Sequence, residues 1–176
     1  MTGEGRRTGY LGLGSNIGDR CAPLNAALAA LAAGSVEVEA VSSAHETAPV
    51  GEILDQPDFL NAAARIRTEL EPEELLDLLK SIEAERGREA GGPRHAPRVL
   101  DIGLLLLGDI EMETARLKLP HREVESRRFV LVPLLELDDG TRLREGPAIV
   151  QYVADLAPTK NLAPANGTMA RYRLQE

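Results

Sequence analysis

The chain has 176 residues, 27% of them charged and 43% hydrophobic, with 28 acidic against 20 basic side chains and a formal net charge of −8. That balance argues against a general nucleic-acid binder, which carries a basic face, and no run of 18 apolar residues is present to span a membrane. A single cysteine, Cys21, excludes an internal disulfide, and the polar opening MTGEGRRTGY lacks the apolar core of a signal peptide, so the expectation is a cytoplasmic chain.

Residues 8–16, TGYLGLGSN, read as a short strand ending in turn residues. Gly12, Gly14 and Gly18 miss the dinucleotide-binding spacing by one, and no Gly-Lys-Ser/Thr follows, so a tight strand-to-helix turn is expected, with Ser15, Asn16 or Asp19 as its cap. Residues 23–34 are dominated by alanine and leucine and predict a helix closed by Gly34. Residues 36–43 alternate apolar and polar, the period of a half-buried strand. Residues 46–58 carry two prolines and a glycine and predict a loop. Residues 59–70 read as a strand, and 71–88 as an amphipathic helix with Pro72 in its first turn, acids early and basic residues late. A flexible loop at 89–97 leads to a strand at 98–107, then a short extended piece at 117–121. Residues 128–139 fit helix or strand, 148–157 predict a C-terminal helix, and 158–176 give no pattern. The order β-α-β-β-α-β is the split βαβ, ferredoxin-like arrangement of one α+β domain over 1–176.

Against the acidic total, Arg86, Arg88, Arg94, Arg98, Arg116, Arg122, Arg127 and Arg128 crowd one stretch, a local field suited to an anionic substrate. Asp101 stands alone among apolar residues and glycine between Arg98 and Asp109. A buried carboxylate is costly unless paired, which leaves two readings: an ion pair with a neighbouring arginine, or a ligand for Mg²⁺, which takes one or two carboxylates plus phosphate oxygens and water. Arg94 and Arg98, just before that strand, read either as a solvated basic loop or as a triphosphate clamp, since the guanidinium fork matches phosphate oxygens. Together these features suggest phosphoryl or nucleotidyl transfer. His121 is either structural or a hydrogen-bond donor to phosphate. Phe59 and Phe129, the only phenylalanines, fill core or stack on a flat heterocycle.

Four blocks in order, YLGLGSNIGDR, ETAPVG…DQPDFLNAA, RHAPRVLDIGLLLLGD and LPHREVESRRFVLVPLLEL, carry a resemblance from about Tyr10 to Asp138. There the chain resembles the 6-hydroxymethyl-7,8-dihydropterin pyrophosphokinases of folate biosynthesis. The resemblance implies a three-layer αβα sandwich with a ferredoxin-like core and a mainly antiparallel sheet, mostly monomeric. It implies transfer of pyrophosphate from ATP to the pterin hydroxymethyl group, with AMP leaving, and no nucleic-acid or membrane partner. It places the pterin on Thr47, Ala48, Val50, Phe59, Asn61 and Phe129, and ATP on Leu76, Lys80, Glu83, Arg94, Arg98, Leu104, His121, Arg122 and Arg127. It assigns the chemistry to Arg88, Arg98, Asp101 and His121, with Mg²⁺ on Asp101. The family carries Asp-x-Asp holding two Mg²⁺ ions where this chain reads Asp101-Ile102-Gly103. Three readings follow: a working enzyme, slow or with a compensated metal site; a non-catalytic relative that still binds ATP or pterin; or a normal enzyme in which Gly103 is an error or a deliberate change. Glu83, Asp109 and Glu123 are the candidate substitute acids, and nothing in the sequence places them at the metals.

Overall fold

The structure, a computed structural model, describes residues 5–49, 53–87, 96–122, 124 and 133. Its elements run β1 (Arg7–Ser15), α1 (Cys21–Ala33), β2 (Val36–Val41), β3 (His45–Thr47), β4 (Phe59–Thr68), α2 (Pro72–Glu85), β5 (Asp101–Leu107), β6 (Met112–Glu113) and β7 (Lys118–Leu119). The main sheet has the order β2-β4-β1-β5, with β3 added along β4, and every pairing is antiparallel. This is the expected ferredoxin-like α+β topology. The ambiguous stretch 128–139 and the helix expected at 148–157 lie outside the described residues, apart from the single position 133, as does most of the tail that follows.

Both helices pack on one face of the sheet. Leu24, Ala27 and Leu31 of α1 and Leu75, Leu79 and Ile82 of α2 share one core with Leu11 and Leu13 of β1, Ala64 and Ile66 of β4, and Ile102, Leu104 and Leu107 of β5. Strand alternation turns the other residues of β1, β4 and β5 to the opposite face, where Ala63, Leu105 and Val124 form a smaller cluster.

Helix starts follow their sequence signals. Of the three cap candidates before α1, Asp19 does the work: its Oδ1 accepts from the Cys21 and Ala22 N–H groups at 3.1 and 3.2 Å. Asn16 has another task, described below, and Ser15 Oγ is buried with no hydrogen-bond partner among the described residues. Gly18 sits at φ 63, a conformation other residues rarely adopt, and lets the turn into α1 close. In α2, Glu71 and Glu74 form a reciprocal capping box and Pro72 opens the first turn.

Three expectations are corrected. The stretch expected as a loop from residue 46 begins with strand β3, because Thr47 pairs with Phe59 and His45 with Asn61. The basic end expected for α2 is missing: the helix stops at Glu85, with Arg86 as its cap and no basic residue in its last turn. Finally, the strand expected from residue 98 starts at Asp101, so Asp101 is its first residue and not an interior one.

Candidate active site

A cleft of about 480 Å³ opens along β1, β4 and β5. One row of paired residues crosses the sheet, His45 of β3, Asn61 of β4, Gly14 of β1 and Asp101 of β5, and the last three line the cleft. Adjacent strands lie about 5 Å apart, which puts the Asn61 and Asp101 positions roughly 10 Å apart. Gly14 between them must be small, since a Cβ there would stand 3.0 Å from Asn61 Oδ1. The next row pairs Ala63, Gly12 and Gly103, so the middle of the floor carries little but backbone.

One end of the cleft is neutral. Phe59, Thr47 and Ala48 line it beside Asn61. Asn61 is buried and donates from Nδ2 to Thr47 Oγ1 at 2.8 Å. An aromatic face beside a fixed amide is what a flat heterocycle needs for stacking and directed hydrogen bonds.

The other end is charged. Arg98 Nη1 donates to Asp101 Oδ1 at 2.6 Å, the ion pair expected as one of the two readings of Asp101. The Asp101 side chain is nevertheless 42% exposed, open to a ligand. Lys80, His121 and Arg122 line the same end, with Leu76 and Leu104 as apolar wall. His121 follows the cis Leu119–Pro120 bond and its N–H donates to Leu105 O at 2.9 Å.

Glu83, placed with the ATP ligands by resemblance, does not line the cleft. It is fully buried, and its Oε1 accepts from the Ile102 N–H at 2.7 Å, while both carboxylate oxygens take the Lys80 ammonium at 2.9 Å. Glu83 therefore braces the stretch of β5 between Asp101 and Gly103 and steadies Lys80. It is not a substitute metal ligand, and Asp109 is exposed in the turn after β5. Among the described residues no group of three or more His, Cys, Asp and Glu side chains could hold a metal ion. Val50, Arg88, Arg94, Glu123, Arg127 and Phe129 lie outside the described residues.

The sequence reading left two features unassigned. The β6–β7 hairpin, from Thr114 to Lys118, walls the charged end. Its Arg116 pairs with Asp77 and Glu73 of α2, and hydrogen bonding to Asp77 keeps the guanidinium pKa above its usual value. On the same hairpin Lys118 holds the Glu113 carboxyl below the usual carboxylate range. The second feature is Asn16, which ties the two ends of the cleft together through Gln56, Pro57 and Arg98.

A family model for 7,8-dihydro-6-hydroxymethylpterin-pyrophosphokinase matches residues 10–139. A 2-amino-4-hydroxy-6-hydroxymethyldihydropteridine pyrophosphokinase of Methylorubrum extorquens is 50% identical over 151 residues, 85% of this chain and 94% of the relative. The Bacillus subtilis protein of that name is 46% identical over 129 residues, 73% and 76% of the two chains. The match to a folate synthesis bifunctional protein of Arabidopsis thaliana, 42% identical, covers 81% of this chain but only 29% of that longer protein. An HPPK-DHPS crystal structure in complex with substrates shares the fold, with a TM-score of 0.57 over 89% of this chain and 44% of its own, at 13% identity. The matched residues include all four strands that floor the cleft, its neutral and charged ends and the helix that braces them. The chain belongs to the 7,8-dihydro-6-hydroxymethylpterin-pyrophosphokinase family, the ATP-dependent pyrophosphokinases of folate biosynthesis.

Proposed function

We propose that this cleft transfers the terminal pyrophosphate of ATP to 6-hydroxymethyl-7,8-dihydropterin. The pterin hydroxyl oxygen attacks the β-phosphorus, the bond from that phosphorus to the α–β bridging oxygen breaks, and AMP leaves with that oxygen. The hydroxyl proton passes to solvent. The observation that carries this reading is the row Asn61–Gly14–Asp101, with a neutral aromatic end on one side and a cationic end on the other.

The pterin stacks on Phe59, with Phe129 as the second face, and Asn61, Thr47, Ala48 and Val50 read its edge. The triphosphate lies on Arg98, His121, Arg122 and Lys80, joined by Arg94 and Arg127, and Leu76 and Leu104 support the nucleoside. Arg88 is the remaining cation assigned to the chemistry. Arg98 has to trade Asp101 for phosphate when the nucleotide enters. The chain acts as a monomer on small molecules, with no nucleic acid or membrane partner.

Asp101 fits one Mg²⁺, because this ion completes its shell with water and phosphate oxygens. Bound there, the ion neutralises triphosphate charge and polarises the phosphoryl oxygens. The family's two-ion arrangement does not fit the described residues, since Gly103 offers no ligand and Glu83 is committed to Ile102 and Lys80. Packing does not demand Gly103, where an added Cβ would meet only Leu105 Cδ2, at 3.9 Å. Gly103 is thus the observation that favours the second reading, a chain that binds ATP and pterin without efficient transfer.

The test is AMP release from ATP with Mg²⁺, with and without the pterin alcohol, alongside binding of each ligand alone. Pterin-dependent AMP release supports the enzyme. Binding of both ligands without AMP supports the second reading, and binding of neither overturns both.

A further inference from the structure

We infer that Asn16 is a positioning residue that sets the two halves of the cleft against each other, an inference that rests on the reading above. Asn16 follows β1 directly and is 1% exposed. Its Nδ2 donates to Gln56 Oε1 at 2.9 Å and to Pro57 O at 3.0 Å. Its Oδ1 accepts from the Arg98 N–H at 2.7 Å, and its own N–H donates to Arg98 O at 3.0 Å. Pro57 lies two residues before Phe59, and Arg98 three residues before Asp101. One buried amide therefore fixes the backbone that leads to the aromatic wall and the backbone that leads to the carboxylate. Both side-chain donors and the acceptor are used within the chain.

Asn16 does not line the cleft and spends both side-chain donors within the chain, so its contribution falls on alignment. Transfer needs the acceptor oxygen in line with the β-phosphorus, and a misplacement of about 1 Å from a distant change can cost about a hundredfold in rate. Asn16→Asp turns an oxygen toward Gln56 Oε1 and Pro57 O while keeping the acceptor for Arg98. Gln56→Leu removes one of the two partners on that same side and leaves Asn16 intact.

The experiment measures kcat, separate dissociation constants for a non-hydrolysable ATP analogue and for the pterin alcohol, and Tm. It uses Asn16→Asp and Gln56→Leu in the natural chain and in the Gly103→Asp background. The expected result is a kcat loss of about a hundredfold for Asn16→Asp and a smaller loss for Gln56→Leu, with each dissociation constant within about threefold. A kcat within about threefold of the parent in a folded Asn16→Asp chain overturns the inference. So does a kcat loss matched by equal losses of both binary affinities, which marks general loosening. AMP release from neither parent removes the functional reading and this inference with it. AMP from a parent with no effect of either variant removes the inference alone.

Discussion

At the Phe59 end of the cleft the wall is neutral and already satisfied: Asn61 sits buried on Thr47 and Phe59 is anchored by the β3–β4 pairing. At the Asp101 end Arg98 is paired with Asp101 and Lys80 with Glu83, and His121 and Arg122 line the same wall. A heterocycle entering the first end displaces water and leaves the protein's hydrogen bonds in place. A triphosphate entering the second must displace Asp101 from Arg98 before that guanidinium can bind it. On the proposed function, affinity for the pterin is expected to be set at the neutral end, and rate at the charged end, where the geometry of charge decides stabilisation of the transition state.

The sharpest way to break this contrast is Asp101→Asn. It removes the only cleft carboxylate among the described residues while keeping the shape, and turnover should fall about a thousandfold, several kcal/mol of transition-state stabilisation, with pterin affinity unchanged. A parallel loss of pterin affinity would mean the ends are not separate.

Glu83→Ala is expected to act through stability. It strands the Ile102 N–H and the Lys80 ammonium, and should cost about 2 kcal/mol in urea denaturation, less than a fully enclosed pair because Lys80 is 43% exposed. An unchanged midpoint would show that Glu83 braces nothing.

Phe59→Ala is the smallest of the three. It should weaken the pterin by about tenfold through lost stacking and leave nucleotide binding alone.

The sequence made much of the fold legible. Alternation over 36–43 and the apolar stripe of Leu75, Leu79 and Ile82 marked elements whose neighbours then fell into ferredoxin-like order. Strand β3 was hidden because three residues have no period of their own and are extended only by pairing with β4. Asp101 looked interior because the apolar run continues back through Val99 and Leu100, and the true strand start depends on Arg98 being tied to Asn16 across the fold. Within the site, Phe59, Asn61, Arg98 and His121 all line the cleft. Glu83 carried a readable signal that was not used: it lies four residues after Leu79 and seven after Leu76, on the buried stripe of α2. Asn16 carried none, since its partners stand 40 to 82 residues away.

The central claim, that a pterin end faces a charged end with one metal-binding carboxylate, is tested most directly by AMP release across a Mg²⁺ titration in the natural chain and in Gly103→Asp. The account predicts measurable pterin-dependent AMP from the natural chain, and about a hundredfold more at saturating Mg²⁺ once the second carboxylate is present on the same face of β5. Equal turnover in the two chains would contradict it, because a single carboxylate would then already supply all that the reaction requires.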